Sequence, residues 1–400
     1  MKILMVNKFL YPNGGSETYM FKLGQYLTSL GHEVQYFGMA DEKNIVSNSA
    51  NSYTSNVDFY NGKKLSKLTY PFKIIYSREA RKKIAVVLDN FKPDIVHMNN
   101  INFQLTPSIF YEIKKCDIAL VQTVHDSQIA CPNHRLYIES KGTICEKCLN
   151  GKYTNCLKEK CMQSSSLKSA IMMFESIYYH KRNTYNLVDK YICPSNFIAE
   201  KIRQGGVEKD RTTVLYNFSD KIEKTPGKID SQPYALYFGR LSKEKGILTL
   251  ISVCKELSKI KFVFAGVGPL TDELEGIDNI EFVGFKNGSE LQSLISNAEF
   301  SLYPSEWYEN CPLSVIESQA LGTPVIGSDL GGTRELIETG KTGLIFEGCS
   351  KSGLKDAILK LWADRILCKQ MKNECLSRKS NTIDIYTEKL MKIYKSVISK

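Results

Sequence analysis

The sequence predicts an α/β protein built of two doubly wound domains, and three observations carry that prediction. The chain has 400 residues, 42% of them hydrophobic, which is enough for two cores of ordinary size. Short apolar runs that end in polar or glycine-rich loops alternate with stretches of helical period. The alternation pauses at 219–232, "SDKIEKTPGKIDSQ", a polar and charged segment holding Pro226 and Gly227, and then begins again. The expected layout is a first domain over 1–218, a linker over 219–232, a second domain over 233–380, and a closing helix over 381–400 that packs back on the first domain. Two domains of this kind are expected to face each other across a cleft that holds the ligand.

In the first domain "KILMVN" is the opening strand. The loop "YPNGGSETYM" leads into a helix in which Met20, Leu23, Leu27 and Leu30 share a face. Gly31 ends that helix and "HEVQYFG" is the next strand. "PDIVHMNN" (93–100), "CDIALVQTVHD" (116–126), "KYICPS" (190–195) and "TTVLYNF" (212–218) are further strands. In the second domain "YALYFGR" (234–240), "IKFVFAG", "IEFVGF", "AEFSLYPS", "TPVIGSD" and "TGLIFE" are strands, with helices over "KGILTLISVCKEL" and after Pro312. "IDIYTEKLMKIYKSVI" is the closing helix. In such folds the polar residues just after the strands are where chemistry is placed.

Formal net charge is +10, from 53 basic and 43 acidic residues, which suits an anionic partner without choosing one. The start, "MKILMVNKFLYP", lacks a signal-peptide pattern, and no run reaches 18 apolar residues, so a cytoplasmic protein is expected. A zinc-containing nucleic-acid-binding protein is disfavoured. Its basic residues would be gathered on one element, whereas here they are spread over both domains, and no recognition helix is interleaved with the cysteines.

The chemistry concentrates in the second domain. In "YFGRLSKEKG", Gly239, Arg240 and Lys245 follow a strand at a spacing that lets two cations grip a diphosphate. "FAGVGPL" ends its strand at Gly266, where backbone can approach a ligand closely. "YENCPLSVIESQALGTP" sets Glu309 in a loop, Pro312 at a helix start and Glu317 inside the helix. The amides of Leu313 and Ser314 are then free to meet a phosphate. Two carboxylates flanking that helix start can accept hydroxyls from a sugar and from a ribose. Gly331, Gly332 and Glu335 add a glycine loop and a further carboxylate.

These residues resemble the retaining nucleotide-sugar glycosyltransferases of the GT-B fold conventionally numbered family four, and the resemblance spans nearly the whole chain. The family's paired glutamates, with seven residues between them, match Glu309 and Glu317. The resemblance implies that Glu309 contacts the donor sugar, that Glu317 holds the ribose hydroxyls, and that Arg240 and Lys245 bind the donor diphosphate. It assigns Gly14 and Gly15 of "GGSETYM" to the glycine loop near diphosphate and acceptor, and His125 of "TVHD" to the active-site histidine. His97 is the lesser candidate. Asn310, Cys311 and Pro312 depart from the family's usual residues at positions that touch the donor sugar. The implied reaction moves a sugar from a nucleoside diphosphate sugar, expected to be a UDP-sugar, to a hydroxyl of a glycan or lipid-linked acceptor. Anomeric configuration is kept, and Arg240 and Lys245 neutralise the leaving group without a catalytic metal. The setting implied is cell-surface polysaccharide or glycoconjugate synthesis. A GT-B-fold sugar-nucleotide epimerase is the alternative enzyme.

Five of the 12 cysteines fall between Cys131 and Cys161. A C-x-x-C pair with two later cysteines fits a tetrahedral structural zinc site on Cys145, Cys148, Cys156 and Cys161, with Cys131 as an alternative ligand and His134 outside it. An iron–sulfur cluster and free thiols remain open. Two stretches of the first domain, 61–83 with eight basic residues and one acid, and 166–185 with interleaved apolar, aromatic and basic residues, fit peripheral contact with an anionic membrane. They fit equally a solvated basic helix and an amphipathic helix buried on the sheet.

Overall fold

A computed structural model describes residues 1–56, 74–219, 232–378 and 381–399. Most of the expected linker, and residues 61–73 of the basic stretch, lie outside the described residues. The chain divides into two units, Met1–Tyr216 with Asp384–Lys400, and Asn217–Ile383.

The first unit is a six-stranded parallel sheet built from β1 (Lys2–Val6), β2 (Glu33–Phe37), β3 (Ile95–Met98), β4 (Ala119–Thr123), β7 (Lys190–Cys193) and β8 (Thr212–Val214), in the order β2-β1-β3-β4-β7-β8. A short antiparallel hairpin, β5 (Tyr137–Ile138) and β6 (Thr143–Ile144), stands apart in the cysteine-rich insert. Helices cover both faces of a parallel sheet, so its strands read as unbroken apolar runs rather than alternating ones. Ile3, Leu4, Met5 and Val6 accordingly have no accessible surface. The helix Gly15–Ser29 buries Tyr19, Met20, Leu23 and Leu27. Leu30, expected on the same face, caps the helix instead and is 52% exposed, because the chain leaves the helical path one residue before it.

The helix Ile383–Ile398 belongs to this first unit. It buries Tyr386, Leu390 and Tyr394, one per turn along a single stripe. The two tyrosines join a hydrogen-bonded relay through the sheet. Tyr394 OH meets His97 Nδ1 at 2.5 Å, and His97 Nε2 meets Thr123 Oγ1 at 2.7 Å. Thr123 Oγ1 meets Tyr19 OH at 3.1 Å, and Tyr19 OH meets Tyr386 OH at 2.6 Å. Every member is buried, so each polar atom satisfies its neighbour where water cannot.

The second unit is also a six-stranded parallel sheet. Its strands are β9 (Tyr234–Phe238), β10 (Lys261–Ala265), β11 (Ile280–Gly284), β12 (Phe300–Tyr303), β13 (Val325–Ser328) and β14 (Gly343–Phe346), ordered β11-β10-β9-β12-β13-β14. The strand order reverses between β9 and β12, and in such sheets the crevice at the reversal is the natural ligand position. Both units are thus Rossmann-like. Among the described residues no helix is long and apolar enough to cross a membrane.

Candidate functional site

The loops after β9 and β12 carry most of the predicted residues of the second unit. Gly239 takes φ +146° and Gly266 takes φ +142°; a Cβ on Gly266 would stand 1.9 Å from the Gly239 carbonyl oxygen. Backbone therefore lies directly on backbone at the strand ends. Arg240, next in line, is exposed. Lys245 ends a single 3₁₀ turn, and Gly246, at φ +72°, opens the helix Ile247–Glu256. A Cβ on Gly246 would fall 1.9 Å from the Pro304 carbonyl oxygen, so only glycine lets this turn press against the loop after β12. That contact is what brings Lys245 to Glu309.

Three donors converge on one oxygen of Glu309. Lys245 Nζ and Trp307 Nε1 each donate to Oε1 at 2.5 Å, and Ser305 Oγ donates at 2.7 Å. Lys245 Nζ also lies 3.4 Å from Tyr303 OH. Glu309 is 8% exposed. Burial pushes its pKa up, but the Lys245 charge and the three hydrogen bonds outweigh burial and hold the carboxyl below its ordinary range. The result is a buried, ionised carboxylate held in one orientation beside a cation. Its backbone is fixed as well. Gly332 N donates to the Glu309 carbonyl at 2.7 Å, and a Cβ at Gly331 would lie 2.2 Å from that oxygen.

Between the glutamates, Asn310 is half-buried and Cys311 is buried. Asn217 N–H points to Cys311 Sγ at 3.4 Å, and Asn217 Nδ2 donates to the Cys311 carbonyl at 2.9 Å. Burial pushes the Cys311 thiol up to about 12. Pro312 precedes the helix Leu313–Ala320, which has no side-chain cap, so the amides of Leu313 and Ser314 open it with no intrahelical acceptor. Glu317 stands at the fifth helical residue, half-buried. The sequence reading missed the supports of this arrangement: Trp307, Ser305, Tyr303 and Gly246. The one signal was the aromatic pair in "PSEWYEN", directly before the glutamate. Replacing Gly246 by Ala is expected to cost about 2 kcal/mol or more, since a left-handed backbone and a backbone clash add together, and to loosen Lys245. Chemical denaturation checks the first effect and donor binding the second.

In the first unit the strand order reverses between β1 and β3, and the residues just after those strands and β4 form a polar cluster. Gly14 precedes the helix that begins at Gly15. Glu17, 2% exposed, accepts a hydrogen bond from Asn7 Nδ2 at 2.9 Å. His125 Nε2 lies 3.0 Å from Asn99 Oδ1, and its ring meets Tyr19 edge-on at 5.2 Å. Burial lowers the His125 pKa to about 4 against the opposing pull of Asp126, so the ring is neutral at pH 7. His97 is spent in the relay; burial lowers it to about 3.

The expectation of structural zinc is not supported. Among the described residues no group of three or more His, Cys, Asp or Glu side chains is placed to hold a metal ion. Of the predicted ligands Cys145, Cys148, Cys156 and Cys161, Cys148 and Cys156 are buried in an apolar cluster with Ile74, Tyr153, Met172 and Met173, and partly buried Cys161 packs against it. There a thiol behaves as a small hydrophobe. Burial pushes Cys148 up, while the hydrogen bond to Cys161, then burial, push Cys156 up. Cys131, the alternative ligand, donates to Asn133 Oδ1 at 3.0 Å and burial pushes it up to about 12. His134 stacks on Phe103, ring centroids 4.8 Å apart.

Comparison with known proteins shows the family. The family described as Glycosyltransferase Family 4 matches residues 13–221, and the one described as Glycosyl transferases group 1 matches 218–377. The chain is 30% identical over 154 residues to an alpha-D-kanosaminyltransferase of Streptomyces kanamyceticus, a match covering 36% of this chain and 40% of that protein. It is 26% identical over 362 residues to an uncharacterized glycosyltransferase of Methanocaldococcus jannaschii, covering 86% and 84% of the two chains. The solved structure of Anabaena HepE in complex with UDP superposes with a TM-score of 0.68 at 16% identity, covering 99% of this chain and 100% of that one, which shows the shared GT-B architecture. With one family match spanning more than half its length and a second continuing to residue 377, the chain belongs to the glycosyltransferases of family 4.

Proposed function

We propose that this glycosyltransferase moves a sugar from a UDP-sugar to a hydroxyl of a glycan or lipid-linked acceptor, with retention of the anomeric configuration, in cell-surface polysaccharide or glycoconjugate synthesis. The observation that carries the proposal is the buried Lys245–Glu309 pair beside the uncapped start of the helix Leu313–Ala320. In this reading the second unit takes the donor and the first unit takes the acceptor. Lys245 and Arg240 meet the diphosphate, joined by the amides of Leu313 and Ser314, and all four oppose the negative charge that grows on the leaving phosphate. Glu309, oriented through Oε1 by three donors, faces the donor sugar, with Asn310, Cys311 and Pro312 shaping that subsite. Glu317 accepts the ribose hydroxyls. Gly239, Gly266, Gly331 and Gly332 let backbone close on the nucleotide. Gly14 and Gly15 do the same from the first unit, where neutral His125 supplies a hydrogen-bonding ring near the sugar. No metal is required to balance the leaving group in this scheme.

The test is calorimetry of the purified protein against a panel of nucleotide sugars, with Glu317→Gln beside the wild type. One UDP-sugar should bind well above the others. Loss of the ribose contact should weaken it on the order of tenfold to a hundredfold, the worth of one or two charge-assisted hydrogen bonds. Equal affinity of Glu317→Gln for every donor would remove Glu317 from the nucleotide site. Interconversion of the donor sugar with no transfer to any acceptor would favour the epimerase.

A further inference from the structure

The cysteine-rich insert sets two thiols against each other by a backbone device. The helix Thr154–Lys158 ends with Cys161 N donating to the Cys156 carbonyl at 3.2 Å and Lys160 N donating to the Leu157 carbonyl at 3.2 Å. Lys160 takes the left-handed backbone, φ +49°, where glycine is usual. Two such bonds with a left-handed residue form a Schellman turn, in which the side chains at the ends of the longer bond meet. Here both are cysteines, and the Cys156 thiol donates a hydrogen bond to the Cys161 sulfur. The backbone bond between the same two residues keeps their Cα atoms within the reach of a disulfide.

The two sulfurs are unlike. Cys156 is 1% exposed, inside the apolar cluster of Ile74, Tyr153, Met172 and Met173. Cys161 is half-buried at the edge of that cluster, so solvent reaches it. The hydrogen bond from Cys156 holds the Cys161 sulfur below the ordinary thiol range against burial, and the Lys141 charge acts in the same sense. An accessible sulfur of thiolate character beside a buried second thiol suits oxidation, in which one sulfur reacts and the other resolves. Glu159, between them in the chain, pairs with Lys141 at 2.5 Å and with Lys147. Lys141 lies between β5 and β6, so this short turn also tethers the hairpin.

We propose that Cys156 and Cys161 form a reversible oxidation site for a hydroperoxide, with Cys161 attacking and Cys156 resolving. The Cys161 thiolate attacks one peroxide oxygen and the O–O bond breaks. Cys161 becomes a sulfenic acid, and the other oxygen takes a proton and leaves as water or alcohol. Cys156 then gives up its proton and attacks the Cys161 sulfur. The S–S bond forms, and the sulfenic oxygen leaves as water. Two thiols have lost two electrons and two protons, and the hydroperoxide has gained them. The disulfide closes the turn that tethers the hairpin, and a thiol reductant reopens it. Neither donor nor acceptor takes part, so the site stands apart from the sugar transfer.

The full chain is reduced, freed of reductant and exposed to a slight excess of hydrogen peroxide. Remaining thiols are alkylated and tryptic peptides are mapped by mass spectrometry. Lys158 and Lys160 lie between the two cysteines, so trypsin leaves them on separate peptides joined only by the disulfide. The Cys156–Cys161 linkage should form first, and dithiothreitol should remove it. Cys156→Ala should stop at the sulfenic acid of Cys161, which dimedone captures. Cys161→Ala should slow oxidation of Cys156 on the order of a hundredfold, because a buried thiol has little thiolate character. The wild-type map needs no variant, and urea unfolding checks that both variants are folded. The inference is overturned if the first disulfide joins Cys145 to Cys148 or any other pair, or if both thiols stay reduced while exposed Cys116 and Cys349 oxidise. It is overturned too if dimedone captures Cys156 in Cys161→Ala as readily as Cys161 in Cys156→Ala. Release of one metal ion per chain on oxidation would also sink it, because the thiols would then be ligands.

Discussion

Lys245→Met is expected to destabilise the second unit by about 2–3 kcal/mol at neutral pH and to weaken UDP binding at least tenfold, the former because a buried carboxylate loses its counter-charge. The lysine and glutamate side chains retain 21% and 10% of their accessible surface, which places the cost toward the lower end for a buried pair. The pH dependence gives the effect a signature. In the wild type Glu309 is held below its ordinary pKa, so its contribution is present above the unfolded value of about 4.3 and is lost as pH falls through the folded one. Without Lys245, burial is opposed only by the Trp307 and Ser305 hydrogen bonds, and the folded pKa rises from its wild-type position. The deficit against the wild type is then largest at high pH and shrinks as pH falls through the variant's folded pKa. Urea midpoints at several pH values read this directly. Adding Glu309→Gln to Lys245→Met should restore much of the loss, because no unpaired charge remains. A penalty that is the same at every pH would mean that the lysine acts by packing over Tyr303 and Trp307, whose rings lie 5.7 and 5.5 Å from its ammonium.

Tyr394→Ala is expected to cost the first unit about 4 kcal/mol, the sum of a large buried cavity and an orphaned His97 nitrogen. Tyr394 has no accessible surface and its hydroxyl meets His97 Nδ1. Tyr394→Phe keeps the ring and loses the hydrogen bond, and should cost about 1–2 kcal/mol. The contrast between the two variants, read from denaturation midpoints, separates packing from the relay. If both cost the same small amount, the closing helix is not anchored through this tyrosine. The relay continues through Thr123 to Tyr19, whose ring borders His125. The closing helix is therefore joined to the surroundings of that histidine through Tyr19.

Much of this molecule was legible in the amino-acid order. Strands buried on both faces must be apolar along their length, so "KILMV", "IVHM" and "YALYF" announced two parallel sheets. The restart of that pattern announced two domains. A proline at a helix start with a glutamate on either side announced the second unit's polar centre, because those residue types carry their local geometry and chemistry with them. What the order alone did not show was set by distant partners. Lys245 and Glu309 are 64 positions apart and meet only because a glycine lets two loops touch. The insert's cysteines have metal-like spacing, yet two of them are drawn into an apolar cluster by Met172 and Met173 from another helix. The helix Ser166–Lys181 has mixed composition on all sides, and its inward face was chosen by what the neighbouring elements offered to Glu175 and Tyr179. Local propensity and strand period are properties of neighbouring residues and survive in the sequence. Burial, ionisation and the direction a side chain faces are properties of the packed whole, and only the tertiary structure decided them.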